Sequence, residues 1–361
     1  MKICVLGTRG FPLIQGGVEK HCESLYTEFP AEYRFVIFRR KPYVRVTPSY
    51  PNITFIDLPS TKIKGFEAVY HSFLSTCRAV LSRPDIVHIH NIGPALFSPL
   101  LKLRGIKVVL TYHSPNYEHK KWGWGVRTLL KWSEKIALRM SDAVIFVNKF
   151  QLEKYDERTR SKSYYIPNGI PRITPATQQN YIRELGLTPG KYVLGVGRIT
   201  PEKGFDCLEK AFAGVDTDYK LVIAGGVETE SAYLDELKSI LPPEKIVFTG
   251  YVYGEKLNQL YTHAGLYVLS SYNEGFPLVL LEAMSYGLDV LVSDIPASHL
   301  VDLPADDYFS KGDYEELARK IERKLKYPRQ QKYELEAYDW TAIVKRLAAV
   351  YDKLNGRKQV P

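Results

Sequence analysis

Two carboxylates, Glu274 and Glu282, bracket the segment Glu274-Gly275-Phe276-Pro277-Leu278-Val279-Leu280-Leu281-Glu282. The segment follows the apolar run Leu266–Leu269, and Pro277 suits the first position of a helix, where its missing N–H costs nothing. Glu274 is then expected in the loop before that helix, beside the backbone amides of Phe276–Leu278. Glu282 would lie inside the helix and reach another part of the same polar ligand. Its neighbours are apolar, so it should be half-buried, and a buried carboxylate needs hydrogen-bond partners. Ribose hydroxyls would serve, and so would a structural salt bridge.

A pair of cations stands on another loop, Gly197-Arg198-Ile199-Thr200-Pro201-Glu202-Lys203-Gly204, again directly after a strand-like run. Arg198 and Lys203 could converge on one diphosphate and neutralise a leaving group. A third loop, from Gly7 to Gly16-Gly17, lies between the first strand and a helix. Glycines there let backbone amides approach a phosphate at a helix N-terminus. Its spacing is neither the GxGxxG fingerprint nor a P-loop.

Metal chemistry has two sequence candidates. Asp216-Thr217-Asp218 has a DxD form but falls just before the strand Lys220–Ala224, at the amino-terminal edge of a sheet. Ligands of such sheets bind at the carboxyl ends, so this reads as a surface turn. His88 and His90 alternate on one strand, with no third ligand at useful spacing in the sequence. A structural place is expected for His88 and a cleft position for His90. The cysteines, Cys4, Cys22, Cys77 and Cys207, form no CxxC pair.

These loops need a scaffold. Short apolar strands alternate with helical stretches: Lys2–Leu6, Arg34–Phe38, Ile53–Ile56, Asp85–His90, Lys107–Tyr112 and Ala143–Val147 in the first half. Turn residues interrupt the pattern from Ile166 to about residue 180. The alternation restarts with Tyr192–Val196, Lys220–Ala224, Ile246–Phe248, Leu266–Leu269 and Val290–Val292. Such alternation predicts an α/β chain of two doubly wound, Rossmann-like domains. Residues 1–165 would form the first domain and 166–340 the second. A last helix, about 341–361, would cross back to the first domain, with Trp340, Ile343, Val344, Leu347, Val350 and Leu354 at helical spacing.

Together these features resemble the retaining glycosyltransferases of family four, which have the GT-B fold of two facing Rossmann-like domains, over almost the whole chain. Glu274 and Glu282 match that family's pair of glutamates, Arg198 and Lys203 its diphosphate-binding cations, Gly16-Gly17 its glycine loop, and Thr111-Tyr112-His113 its strand-end histidine. The opening Gly7-Thr8-Arg9-Gly10-Phe11-Pro12 is similar to a bacterial subgroup of rhamnosyl- and hexosyltransferases. The resemblance implies a donor-binding second domain and an acceptor-binding first one. It implies that Glu282 binds ribose and that Glu274 binds the donor sugar, with Gly275, Phe276, Pro277, Leu278 and Val279 around sugar and phosphate. Gly250, Tyr251 and Val252 would line the base pocket, and His113 would contact the sugar near its anomeric carbon. Pro171 stands where many relatives carry Asp, so that residue's role is missing here. The expected reaction is metal-independent transfer of a hexose or deoxyhexose, most naturally from a UDP-sugar, to a glycan or polyprenyl-diphosphate-linked acceptor. A sugar-nucleotide epimerase or hydrolase of the same shape is the alternative.

Charge is unevenly placed. The chain carries +9 overall, but residues 1–165 hold 26 Lys/Arg against 13 Asp/Glu, whereas residues 166–361 hold 23 against 27. A basic first half faces something acidic. No helix-turn-helix, RRM or zinc finger is recognisable, which argues against nucleic acid. The segment Lys120, Lys121, Trp122, Trp124 and Arg127, continuing to Lys131-Trp132, suits anionic headgroups or a lipid diphosphate; its tryptophans could instead pack inward. Neither a signal peptide nor a membrane span is recognisable. The expected location is the cytoplasm, peripheral to the inner face of the plasma membrane.

Overall fold

The computed structural model describes residues 1–14, 16–61, 63, 66–115, 117, 123–170, 173–227 and 232–356. Lys120, Lys121, Trp122 and Pro171 lie outside the described residues. Two compact units emerge: Met1–Gly169 with the C-terminal segment from Glu336, and Ile170–Leu335.

The first unit holds β1 (Lys2–Leu6), α1 (Gly17–Thr27), β2 (Arg34–Arg40), β3 (Ile53–Leu58), α2 (Phe66–Ser82), β4 (Ile86–His90), α3 (Ser98–Lys102), β5 (Lys107–Tyr112), α4 (Trp124–Met140), β6 (Ala143–Phe146), α5 (Lys149–Leu152), α6 (Glu157–Arg160) and β7 (Ser163–Tyr165). Its strands form one parallel sheet in the order β3-β2-β1-β4-β5-β6-β7. Side chains alternate across a strand, so both faces of a covered parallel sheet must be apolar. In β1, Ile3 and Val5 enter one core with Cys22, Leu25 and Tyr26 of α1. Cys4 and Leu6 enter the other, with Ala79 of α2, Leu101 of α3 and Ala137 of α4.

The second unit holds α7 (Asn180–Glu184), β8 (Tyr192–Val196), α8 (Phe205–Ala213), β9 (Lys220–Ala224), α9 (Ala232–Leu237), β10 (Ile246–Gly250), α10 (Glu255–Thr262), β11 (Leu266–Leu269), α11 (Leu278–Ser285), β12 (Val290–Ser293), β13 (Tyr308–Phe309) and α12 (Tyr314–Lys326). Its parallel sheet runs β10-β9-β8-β11-β12-β13. The chain then returns to the first unit as α13 (Trp340–Leu354), started by the Asp339 carboxylate accepting from the Thr341 amide. Trp340, Ile343, Val344, Leu347, Val350 and Tyr351 of α13 complete the core around α1.

The two α/β sheets and the returning helix agree with the pattern read from the sequence. Local differences have simple causes. The stretch Pro94–Arg104 is a 3-10 turn, Pro94–Phe97, followed by α3, because Pro94 and Pro99 each restart the backbone. Pro277 caps α11 rather than opening it; the helix begins at Leu278. The strands β7 and β13 are too short to show a period.

In the second unit the Lys324 ammonium lies 2.5 Å from Asp289 and 2.7 Å from Asp307, on side chains 10%, 1% and 5% exposed. Removing the cation would leave two carboxylates buried together, so Lys324→Ala should destabilise the fold by about 3–5 kcal/mol, read from urea unfolding. A loss below about 1 kcal/mol would show that the pair is effectively solvated.

Candidate functional site

A doubly wound sheet leaves a crevice where the strand order reverses, at the carboxyl ends of the two strands that diverge. In the second unit these strands are β8 and β11. The loop after β8 carries Arg198 and Lys203, and the loop after β11 carries Glu274, so sheet topology brings the sequence candidates together. The Lys203 ammonium donates to Glu274 Oε1 at 2.5 Å, and Ser271 Oγ donates to the same oxygen at 2.7 Å. The lysine and glutamate side chains are 17% and 11% exposed.

Backbone contacts fix the two loops to each other. The Tyr272 amide donates to the Glu202 carbonyl at 2.9 Å, and Ser270 Oγ to the Lys203 carbonyl at 3.0 Å. Gly204 stands where they touch: its φ is +63°, and a Cβ there would fall 2.1 Å from the Ser270 carbonyl oxygen. Only glycine allows this approach.

Beyond the loop, Glu282 is half-buried as its apolar surroundings demand. Its Oε2 accepts from the buried Tyr261 hydroxyl at 3.0 Å, and Tyr261 stacks on Tyr286. The Leu278 amide turns back onto the Phe276 carbonyl at 3.0 Å, which removes it from the amides expected to face a ligand. Pro277 has no amide to offer. Gly275 and Val279 are half-buried and Phe276 is buried in the same stretch. At the end of β10, Gly250 adopts φ +68°, Val252 is half-buried, and the exposed rings of Tyr251 and Tyr253 lie 5.8 Å apart.

The structure adds residues that sequence reasoning passed over. Buried Tyr267 of β11 feels both Glu274 and Glu282, and its hydroxyl has no hydrogen-bond partner. Tyr233 and Tyr272 both donate to Asp206, at 2.8 and 3.0 Å. Tyr267 inside an apolar strand reads as core, and nothing in the spacing of Tyr233 on α9 or Tyr272 after β11 marked them.

In the first unit the order reverses between β1 and β4. There the Gly7–Gly17 loop closes on its own helix: the Arg9 amide donates to Glu19 Oε1 at 3.1 Å, and the Glu19 carboxylate packs against Gly16. The loop therefore already holds one carboxylate at the N-terminus of α1. Gly17 is exposed.

Four histidines gather at the same sheet ends. His88 and His90 stack at 4.5 Å, and His90 stacks on His113 at 5.3 Å. His21 of α1 meets His113 edge-on at 4.9 Å. The fold thus gives His90 two imidazole partners that the sequence spacing did not show, and leaves His88 outside the group. Nitrogens of His21, His90 and His113 come within 4.8 Å of one another, the metal-compatible cluster among the described residues. His88 is turned away to Tyr351 and Thr111. Asp216 and Asp218 stay on a turn before β9, where Asp218 pairs with Lys191 at the other amino-terminal edge.

On α4 the tryptophans do not pack inward: Trp124 is 85% and Trp132 66% exposed. Among the described residues, no helix is long and apolar enough to cross a membrane.

Residues 15–172 match the family described as Glycosyltransferase Family 4, and residues 177–340 match Glycosyl transferases group 1. The chain belongs to glycosyltransferase family 4, with the GT-B fold. Arabidopsis thaliana sulfoquinovosyl transferase SQD2 is 27% identical over 73% of this chain and 56% of its own length. Mannosylfructose-phosphate synthase of Agrobacterium fabrum is 32% identical over 44% of this chain and 39% of its own. The chain thus matches only about two fifths to just over half of these curated relatives' length. A sucrose-phosphate synthase from Thermosynechococcus elongatus superposes with TM-score 0.80 at 22% identity, over 98% of this chain and 99% of that one. Anabaena HepE, solved with UDP and glucose, gives 0.78 at 18% identity over 98% and 100%.

The histidine cluster of this family 4 chain sets a pH limit. Burial lowers the pKa of His21 to about 4, against a small opposing effect from Asn168, and that of His88 to about 3. Burial first, then neighbouring imidazoles, hold His90 and His113 well below the usual range. The unfolded chain therefore binds protons that the folded one refuses, so stability falls as pH drops below the unfolded value near 6.5. Urea midpoints should decline from pH 7 toward pH 4, by about 1.4 kcal/mol per pH unit for each histidine that protonates only on unfolding. A flat profile across that window would contradict the buried neutral cluster.

Proposed function

We propose that the chain is a retaining hexosyltransferase. It moves a hexose or deoxyhexose from a nucleotide-sugar to a hydroxyl of a glycan or polyprenyl-diphosphate-linked acceptor, in bacterial polysaccharide or glycoconjugate synthesis. The observation that carries this reading is the Lys203–Glu274 contact at the reversal of the second sheet, with Glu282 one helix further on.

Arg198 and Lys203 take up the charge of the departing diphosphate. Glu274 holds donor-sugar hydroxyls, and Glu282, oriented by Tyr261, holds the ribose. Gly275, Phe276, Pro277 and Val279 wall this pocket, and the exposed ring of Tyr251 beside Gly250 and Val252 is suited to a nucleobase. UDP is the preferred nucleotide; the UDP and glucose of the Anabaena relative are ligands of this kind. In the first unit, Gly16, Gly17 and His113 serve the same donor. No metal is assigned a part, since two cations already balance the diphosphate.

Retention by double displacement would need a free carboxylate nucleophile at the anomeric carbon. Glu274 is the nearest kind of group, but its Oε1 is held by an ammonium and a hydroxyl. A carboxylate so stabilised is a poor nucleophile. Same-face attack, with the leaving phosphate assisting the incoming hydroxyl, fits better, and the protein then contributes positioning and charge stabilisation.

The exposed Trp124, Val126, Leu129 and Trp132 of α4, with Arg127 and Lys131, suit an anionic membrane at the cytoplasmic face. Among the relatives, a Streptococcus pneumoniae protein is named for a lipid product, α-galactosylglucosyldiacylglycerol.

Glu274→Ala and Lys203→Ala should each abolish sugar transfer while the chain still folds, with an unfolding midpoint lowered by the loss of one partner of a largely buried ion pair. Near-normal turnover in both would overturn the site. Transfer should persist in EDTA, and a strict requirement for Mg²⁺ would overturn the metal-free assignment. A thermal-shift screen of UDP-, GDP- and dTDP-sugars identifies the donor, because a ligand bound only by the folded state raises its stability. On vesicles containing phosphatidylglycerol, the double variant Trp124→Ala/Trp132→Ala should sediment less than the parent; equal sedimentation would remove the membrane from the proposal.

A further inference from the structure

The buried polar groups around His113 form a continuous chain that reaches α13. His113 Nε2 lies 3.0 Å from His90 Nδ1, and His90 Nε2 lies 2.7 Å from the Tyr26 hydroxyl. The Tyr26 hydroxyl lies 2.9 Å from His88 Nδ1, which is also 2.5 Å from the Tyr351 hydroxyl. His88 Nε2 meets Thr111 Oγ1 at 2.7 Å. His88, His90, Tyr26 and Tyr351 are fully buried, so these protons have only one another to bind.

Proton counting gives the chain a direction. A neutral imidazole has one N–H and one lone pair, and a tyrosine hydroxyl has one proton to give. His88 Nδ1 faces two hydroxyls, and the shorter contact belongs to Tyr351. If Tyr351 donates to that lone pair, Tyr26 can place its own proton on His90 Nε2, the shorter of its two imidazole contacts at 2.7 against 2.9 Å. His90 then carries its proton on Nδ1 and donates it to His113 Nε2. His113 is left with its proton on Nδ1. In this assignment each imidazole and each phenol gives one proton, and the Tyr26–His88 contact is the one left without a proton.

We propose that Tyr351, His88, Tyr26 and His90 are positioning residues that fix His113 as its Nδ1–H tautomer. The helix that returns to the first unit thereby decides whether His113 offers an N–H or a lone pair from each ring nitrogen. The consequence for catalysis rests on the reading above that His113 contacts the donor sugar: Nδ1–H is then a fixed hydrogen-bond donor, ready without reorganisation. The tautomer itself does not depend on that reading.

The sharpest test is Tyr351→Phe, which changes one hydroxyl of α13 and leaves the donor loops untouched. Without it, His88 Nδ1 is free to take the Tyr26 proton, and the downstream bonds reverse, moving the His113 proton to Nε2. Imidazole ¹⁵N spectra of histidine-labelled protein should show Nδ1–H at His113 in the parent and Nε2–H, or a mixture, in Tyr351→Phe. Tyr26→Phe cuts the chain one step later and should give mixed tautomers at His90 and His113 while His88 is unchanged. Both variants should lower kcat by about a hundredfold, the low end of what a positioned proton-transfer group contributes, with donor KM little changed.

Nε2–H at His113 in the parent, or an unchanged His113 in Tyr351→Phe, would overturn the proposal. So would one equivalent of zinc in the purified chain lost on His21→Ala, because a metal among His21, His90 and His113 would replace the His90–His113 bond. Adding UDP-sugar separates this from the functional reading. If the tautomer switches as expected but UDP-sugar leaves the His113 signal unmoved, the chain stands and the donor contact falls.

Discussion

The contact between Lys203 and Glu274 is the constraint on which the candidate site of the second unit depends. Each side chain has lost most of its water, and an ion in that state is held only by its partner or by something that replaces it. The loops after β8 and β11 must therefore stay together when the site is empty. Their registry is enforced where it costs little: by backbone to backbone at Tyr272 and Glu202, and by a glycine whose missing Cβ lets Gly204 sit on Ser270. A ligand that enters must offer the lysine a negative charge and the glutamate hydrogen-bond donors in the same region. A sugar joined to a diphosphate, the donor proposed above, has both.

The first unit solves the opposite problem. Where its sheet order reverses, the deeply buried groups are neutral rings rather than ions. Four imidazoles and two phenols lie too deep to ionise near neutral pH, so their order is one of hydrogen-bond direction, not of ion pairing. Such a network is worth most when every member is satisfied and costs most when one is not. His21 shows the cost: wedged between His113 and Trp340, its ring stays outside the chain of bonds, and burial holds it neutral against the opposing effect of Asn168.

Much of this was legible in the sequence, for definable reasons. Parallel strands buried on both faces appear as unbroken apolar runs, so β1, β5, β8, β9 and β11 could be placed to the residue. Glu274, Glu282, Arg198 and Lys203 stood out as charges set against apolar or glycine neighbours. What remained hidden was pairing across distance. Tyr26 and Tyr351 lie 325 positions apart and each reads as an ordinary core aromatic at helical spacing; only the return of α13 sets both against His88. The missing histidine partners of His90 failed for the same reason, since His21 and His113 belong to α1 and to the end of β5. Spacing along the chain sees one element at a time.

That limit explains why the histidine chain matters to the argument about catalysis. Same-face substitution asks for little covalent chemistry from the protein, so rate must come from dipoles already aimed before the bond breaks. A lysine or arginine supplies its charge whatever its neighbours do. A histidine does not: the same ring presents a donor or an acceptor at a given nitrogen according to what the other nitrogen touches. His113 is therefore defined only together with His90, Tyr26, His88 and Tyr351. Phenylalanine in place of Tyr351 would preserve much of the packing of α13 and still remove the hydroxyl that orders the protons. The returning helix thus does two separable jobs: its apolar stripe closes the core, and one hydroxyl on that stripe orders the protons.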